Sequence, residues 1–326
     1  MASLKCVLLP YEGGLFAQQQ GWASAEAKIQ ELSVTEQLIN DRSVVRPDQL
    51  YEQHRREPSQ PDRERPWAVR YTLRLGWTGD KDFTMNFFSR SYSEIVEAPN
   101  GVRPWWHSVP LPDGRRIKGA HPDIDRQFKM WEAMQIDAEF LARPKQRVLD
   151  IGANDGFFSV ASAKSGASVT SIDTTNWLTW PHNITYLSQQ WSAQLDVVTY
   201  DFRRYCFDQQ FDVIFFLGVL YHVENVFECM ARLKNLLAPQ GTIYLETHLT
   251  SIAVDMPIWE SASDLFSTSA PLGKSTIGQI GISNFLLPNV QAVINLAHIF
   301  DMKCEPLLDN AYCLEDPGRG MFRITQ

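Results

Sequence analysis

The sequence predicts an α/β protein built on a doubly wound parallel sheet, and three observations carry that expectation. From residue 147 to 248, strand-length apolar runs alternate with helix-length stretches, the pattern left by helices crossing over a parallel sheet. Those strands are continuous apolar runs, as befits strands covered on both faces. The first of them ends in a turn with almost no side-chain bulk, Gly152-Ala153-Asn154-Asp155-Gly156, which opens a helix.

Residues 1–100 read as a small, partly β accessory unit. A short apolar strand at 5–9 precedes a polar helical region at 24–40, and a loop rich in Pro, Arg, Glu and Gln spans 52–66. Residues 67–75 alternate apolar and polar, as a half-buried strand does. Residues 76–81 read as its turn and 83–88 as its partner strand. Residues 101–146 form an approach segment with Pro104-Trp105-Trp106-His107, a Pro-Asp-Gly turn at 112–114, and a helix near 124–141.

Within the core, 147–326, strands are expected at 147–151, 168–172, 196–200, 211–217 and 241–248, with helices at 156–165, 183–193 and 224–236. An insertion at 250–287 follows, little charged and weakly periodic. A segment of that length inside a compact domain reads as a functional lid, and Trp259 within it is a candidate for covering a bound molecule. A last helix near 288–300 and two strands, 302–308 and 321–326, close the chain as a hairpin.

Ligands of such sheets bind beyond the strands' carboxyl ends, where strand order reverses. Gly152 and Gly156 let a ligand approach the backbone, and Asn154 tolerates positive φ better than most residues. The next strand ends at Asp173, about where a dinucleotide-type fold holds a ribose hydroxyl pair. The turn has no lysine and carries Asp150 and Asp155 beside it. Two carboxylates repel a pyrophosphate but suit an amino acid's ammonium and a sulfonium.

Residues 147–249 resemble a class I S-adenosylmethionine (SAM) dependent methyltransferase. Within that class they are similar to the branch containing the tRNA wobble-uridine carboxymethyltransferase and its small-molecule relatives. The carriers are Phe216-Leu217-Gly218-Val219-Leu220-Tyr221-His222, the helix ending Ala238-Pro239-Gln240-Gly241, and the strand Tyr244-Leu245-Glu246-Thr247. The resemblance extends over roughly residues 100–326. It implies a Rossmann-like, seven-stranded methyltransferase sheet with Asp150, Gly152, Asn154, Gly156, Asp173, Leu217 and Gly218 around the cofactor. It implies also that Asp173 binds the ribose hydroxyls and that Asp201 and Phe202 flank the adenine; Asp201 reads alternatively as a turn or helix cap. Trp105 and Trp106 then wall the pocket, or simply pack the helix against the core.

His222, beside Tyr221 at the expected mouth of the pocket, is the natural general base; the alternative is a structural donor anchoring its loop. Glu246 and His248 face the same region if strand alternation holds, which makes them candidate substrate contacts. The resembling family follows Tyr-His with two arginines and places a Lys after Pro-Trp-Arg. Here Val223-Glu224 and Trp106-His107 stand instead, which removes the partners of a carboxylated cofactor and of an RNA phosphate. Arg116 and Lys118 are the available spatial substitutes.

Composition narrows the partners. Net charge is −8, and only local clusters of arginine break the acidic surface, against an RNA substrate. No apolar run is long enough to span a bilayer. The N-terminus lacks a signal-peptide core, and five scattered cysteines fit a reduced, cytoplasmic setting without zinc. No His, Asp or Glu spacing suggests a metal. The expectation is a SAM-dependent methyltransferase acting at oxygen or nitrogen of a small molecule, specialised metabolites included. The alternatives are a tRNA wobble-uridine modifying enzyme and a catalytically inactive SAM-binding partner subunit.

Overall fold

The computed structural model describes residues 69–73, 87–98, 105–136, 146–174, 181–261 and 286–326. The expectations for 1–66, 76–81 and most of the lid lie outside the described residues. In chain order the elements are β1 (Val69–Leu73), β2 (Ile95–Val96), β3 (Val109–Pro110), β4 (Arg116–Ile117), α1 (Arg126–Met134), β5 (Arg147–Ile151) and α2 (Phe157–Lys164). Then come β6 (Ser168–Asp173), α3 (His182–Gln190), β7 (Leu195–Thr199), β8 (Phe211–Leu217), a 3-10 turn (Leu220–His222), α4 (Val226–Leu236) and β9 (Leu237–His248). The chain finishes with β10 (Trp259–Ser261), β11 (Leu286–Pro288), α5 (Val290–Ile299), β12 (Lys303–Pro306), α6 (Ala311–Glu315) and β13 (Arg319–Thr325).

The main sheet runs β1-β7-β6-β5-β8-β9-β13-β12. Strands β7, β6, β5, β8 and β9 are parallel, and β13 and β12 close the far side antiparallel. Strand order therefore reverses between β5 and β8, which opens the crevice outside their carboxyl ends. The seven strands expected are all present.

The eighth strand is a correction. Residues 67–75 were expected to pair with 83–88, but β1 instead runs antiparallel to β7. There it covers an edge whose N–H and C=O groups need partners. Phe87, expected in a strand, is fully buried among the helices, its ring 5.0 Å from those of Phe157 and Trp191.

Alternation along the strands sorts the core onto two faces. Val148, Val213, Phe215 and Tyr244 pack with Phe128 and Trp131 of α1 and Phe157 and Val160 of α2. On the other face, Leu149, Ile151, Ile214 and Phe216 pack with Met230 and Leu233 of α4 and Val293 and Leu296 of α5. The helices begin where the sequence supplies caps. The Asn225 side chain accepts the Glu228 N–H, and the Asn289 side chain accepts the Ala292 N–H. At the opposite rim from the crevice, Arg147 grips Asp212 through Nη2 at 2.8 Å and Nε at 3.1 Å, fixing the register of β5 against β8. Among the described residues no helix is long and apolar enough to cross a membrane.

Candidate functional site

The β5–α2 turn requires its glycines. Gly152 (φ +71) and Gly156 (φ +83) lie in the left-handed region, as does Asn154 at φ +46. A Cβ on Gly152 would fall 2.5 Å from Val219 Cγ2, and one on Gly156 2.4 Å from Ile184 Cγ1. The turn is thus wedged between the segment after β8 and helix α3. At the end of β6, Asp173 accepts the Asn154 N–H at 3.1 Å and the Thr174 N–H at 2.7 Å. Burial nevertheless pushes its carboxyl up to about 6.

The other two acids of the turn are committed inward, which spacing did not reveal. Asp150 is buried and accepts Ser159 Oγ at 2.5 Å, and Ser159 accepts Ser171 Oγ at 2.7 Å. Burial pushes the Asp150 carboxyl up to about 7. Asp155, 1 % exposed, accepts the N–H groups of Trp106 (3.0 Å) and His107 (2.7 Å) and Asn183 Nδ2 (2.7 Å). The reading of both acids as charges presented to a cationic ligand therefore needs correcting. Buried carboxylates take fixed donors wherever the fold provides them, and Asp155 clamps the approach segment onto the turn.

Across the crevice, Gly218 (φ +73) follows the half-buried Leu217 and donates its N–H to Glu246 O at 3.0 Å. A Cβ there would lie 3.4 Å from Tyr221 Oη and 3.6 Å from Glu246 Oε2. The Tyr221 ring stands 4.2 Å from that of His222 and 4.7 Å from that of His248. Tyr221, His222, Glu246 and His248 therefore gather at the ends of β8 and β9, as alternation predicted. The β10–β11 hairpin reaches the same place, since Leu287 of β11 packs on Tyr221.

Glu246 is the hub. It is fully buried, and its Oε1 accepts Tyr312 Oη at 2.6 Å, Arg319 Nη1 at 3.2 Å and Arg126 Nη2 at 3.4 Å. Its Oε2 is buried without a hydrogen-bond partner. Burial pushes the Glu246 carboxyl up, but the Arg319 and Arg126 guanidiniums outweigh it and hold the group below its ordinary value. Burial drives the neighbouring His248 down to about 3. Asp316 Oδ2 stands 3.8 Å from both Arg126 Nη1 and Arg319 Nε.

These two arginines correct the expectation that the site lacks cations. Arg126 comes from α1 and Arg319 from the start of β13, where the sheet register sets it opposite His248. The sequence offered one sign of Arg126: it is a charge on the face of α1 that also buries Met130, Ala133 and Met134. Neither proposed substitute is here. Arg116 pairs with Asp125 at 2.5 Å and lies over the Tyr92 and Phe128 rings, and exposed Lys118 reaches Glu97.

The remaining candidates divide. Asp201 accepts the Arg203 backbone N–H at 2.9 Å, and its carboxylate is paired with Arg203 Nη2 at 2.7 Å, the turn-capping alternative. Phe202 is buried against Phe216, ring centroids 5.6 Å apart. Trp105 is buried edge-on to Tyr186, its Nε1 without a partner. Trp106 is half-buried beside His121. Trp259 is half-buried in β10 and packs on the core beneath α4 and α5. Sequence reading missed His107, His121, Tyr312 and both arginines.

Residues 127–268 match a methyltransferase domain family. The chain is 32% identical over 113 residues to the ubiquinone biosynthesis O-methyltransferase of Actinobacillus pleuropneumoniae, covering 31% of this chain and 45% of that enzyme. It is 29% identical over 163 residues to the tRNA U34 carboxymethyltransferase of Ectopseudomonas mendocina, covering 48% of this chain and 47% of that enzyme. The chain thus spans about half the length of the curated relatives it matches. Among solved structures, the N-terminal domain of EvdMO1 with S-adenosylhomocysteine (SAH) and D-fucose aligns with TM-score 0.48 and 17% identity, over 68% of this chain and 91% of that one. The Burkholderia thailandensis 1,6-didemethyltoxoflavin-N1-methyltransferase aligns with TM-score 0.42 and 18% identity, over 60% and 76%.

Proposed function

We propose that this chain is a SAM-dependent, metal-independent methyltransferase of the cytoplasm that acts on an oxygen or nitrogen of a small molecule. The observation that carries the reading is the cradle at the β5–β8 switch point, inside a methyltransferase domain. Gly152 and Gly218 have left-handed backbones there, and Asp173 lies at the adjoining strand end. The residues fit the cofactor. Asp173 would take the ribose hydroxyls, the Gly152–Gly156 backbone the amino-acid end, and Leu217–Gly218 the nucleoside. Asn154 Oδ1 is buried without a partner, an acceptor available to a bound ammonium. The cofactor supplies an electrophilic methyl on a sulfonium, which an acceptor lone pair displaces in line.

The acceptor belongs beside Tyr221, His222, Glu246 and His248. The unpartnered, buried Glu246 Oε2 favours a substrate that brings an O–H or N–H donor, because a buried acceptor left unmade costs about 1–3 kcal/mol. The charges favour plain SAM over a carboxylated form. Arg126 and Arg319 are already answered by Glu246 and Asp316, so a further carboxylate meets no uncompensated cation among the described residues of this cluster. The matched tRNA enzyme keeps wobble-uridine modification as the second reading.

Calorimetry with SAH and transfer of tritiated methyl from SAM into a cell extract, with and without RNase, test this. SAH binding and RNase-resistant label are expected. RNase-sensitive label would establish the second reading, and SAH binding without label in any fraction would mark a non-catalytic partner subunit.

A further inference from the structure

We infer that His107, oriented by Asp155, is the group that takes the acceptor's proton during transfer. The inference rests on the methyltransferase reading but not on the identity of the acceptor. Asp155 Oδ2 stands 3.4 Å from His107 Nδ1. That carboxylate is already fixed by two backbone N–H groups and Asn183 Nδ2, so the imidazole meets a held charge. A carboxylate beside Nδ1 draws the ring's proton to that nitrogen and leaves Nε2 with a free lone pair, the tautomer a general base needs. A contact of 3.4 Å is long for a hydrogen bond, and catalytic hydrogen bonds are often long before substrate binds.

Position supports the role as much as tautomer does. Asp155 belongs to the β5–α2 turn, where the cofactor's amino-acid end is placed. The charges of Arg126 and Glu246, in the acceptor cluster, also act on His107. Burial lowers its pKa, Asp155 and Glu246 raise it, and Arg126 lowers it; the net direction is downward and keeps the ring neutral near pH 7. His121, ring centroid 6.4 Å away, accepts the Asp123 N–H on its Nδ1 and is driven down to about 4, chiefly by burial. It adds no positive charge that would make His107 a weaker base.

The step balances. The acceptor oxygen or nitrogen forms its bond to the methyl carbon, the carbon–sulfur bond breaks, and its electron pair returns to sulfur. The acceptor's proton passes to His107 Nε2 and from there to water.

The test uses the full chain, tritiated SAM and the small-molecule fraction of a cell extract as the acceptor pool, over pH about 5.5 to 9. At saturating SAM, where the titration of Asp173 no longer limits the rate, His107→Gln is expected to lower transfer about 100-fold or more, to abolish the acid limb of the pH profile, and to leave SAH affinity within a few-fold. In the unmodified protein, ¹⁵N shifts of His107 should report a proton on Nδ1, a readout that needs no variant to fold. The inference is overturned by transfer within a few-fold of wild type with the acid limb intact. A loss of SAH affinity in parallel with rate, or a proton on Nε2, overturns it equally. A wild-type protein that neither binds SAH nor transfers label would instead refute the methyltransferase reading itself.

Discussion

A single carboxylate decides how the nucleoside half of the site responds to pH. Asp173 is held by two N–H donors yet raised by burial to about 6, and only its ionised form accepts fully from a pair of hydroxyls. SAH affinity should therefore be flat above pH about 7 and fall as pH drops through 6, by up to about tenfold per unit. Asp173→Asn should bind more weakly at pH 8 and show no such fall. Calorimetry at both pH values checks this, and a wild-type profile flat down to pH 5 refutes it. Glycine spacing and the terminal acid of a strand made the positive-φ turn at Gly152 and Gly156 and the strand-end place of Asp173 legible, because these follow from local backbone geometry. Asp155 was not, because its donors Trp106 and His107 lie 49 and 48 residues away. Nothing in its own neighbourhood says which way the carboxylate turns.

At the level of elements, the periodic ones were legible and their long-range partners were not. Strands β5 and β8 and helices α4 and α5 fall within a few residues of expectation, since continuous apolar runs and helix-length stretches between them mark them. The pairing of β1 with β7 and the meeting of α1, β9, α6 and β13 at Glu246 depend on contacts 66 to 130 residues apart in sequence. That meeting should be worth much to the fold. Glu246→Gln leaves two guanidiniums without their buried counter-charge, a change that costs about 3–5 kcal/mol and should lower Tm by roughly 10 °C. The sign of its pH dependence follows from the depressed carboxyl. Its contribution is fully present above the unfolded value and is lost as pH falls through the lower folded one. Wild type and variant should thus converge only once pH falls below the ordinary carboxylate range; a constant gap would mean the arginines are not its partners.

For the whole molecule, the balance of charge separates the two acceptor classes without naming an acceptor. The chain carries 38 acidic against 30 basic side chains. Among the described residues of the site, Arg126 is buried and Arg319 partly buried, and both are paired inside the protein. An RNA substrate would need several lysines or arginines on its phosphates, and counterion release would then cost about 10³–10⁵ in affinity between 50 and 200 mM salt for 6–10 contacts. A small acceptor held by Glu246 Oε2, Tyr221 and the histidines makes few such contacts, and its charge pairs are buried where salt screens them poorly. Methyl transfer at subsaturating acceptor should therefore change less than about threefold over that salt range. Label incorporation measured at four or five ionic strengths decides the matter. A steep log–log decline would show that the acceptor is polyanionic despite the protein's own negative charge, and would reverse the choice between the two readings.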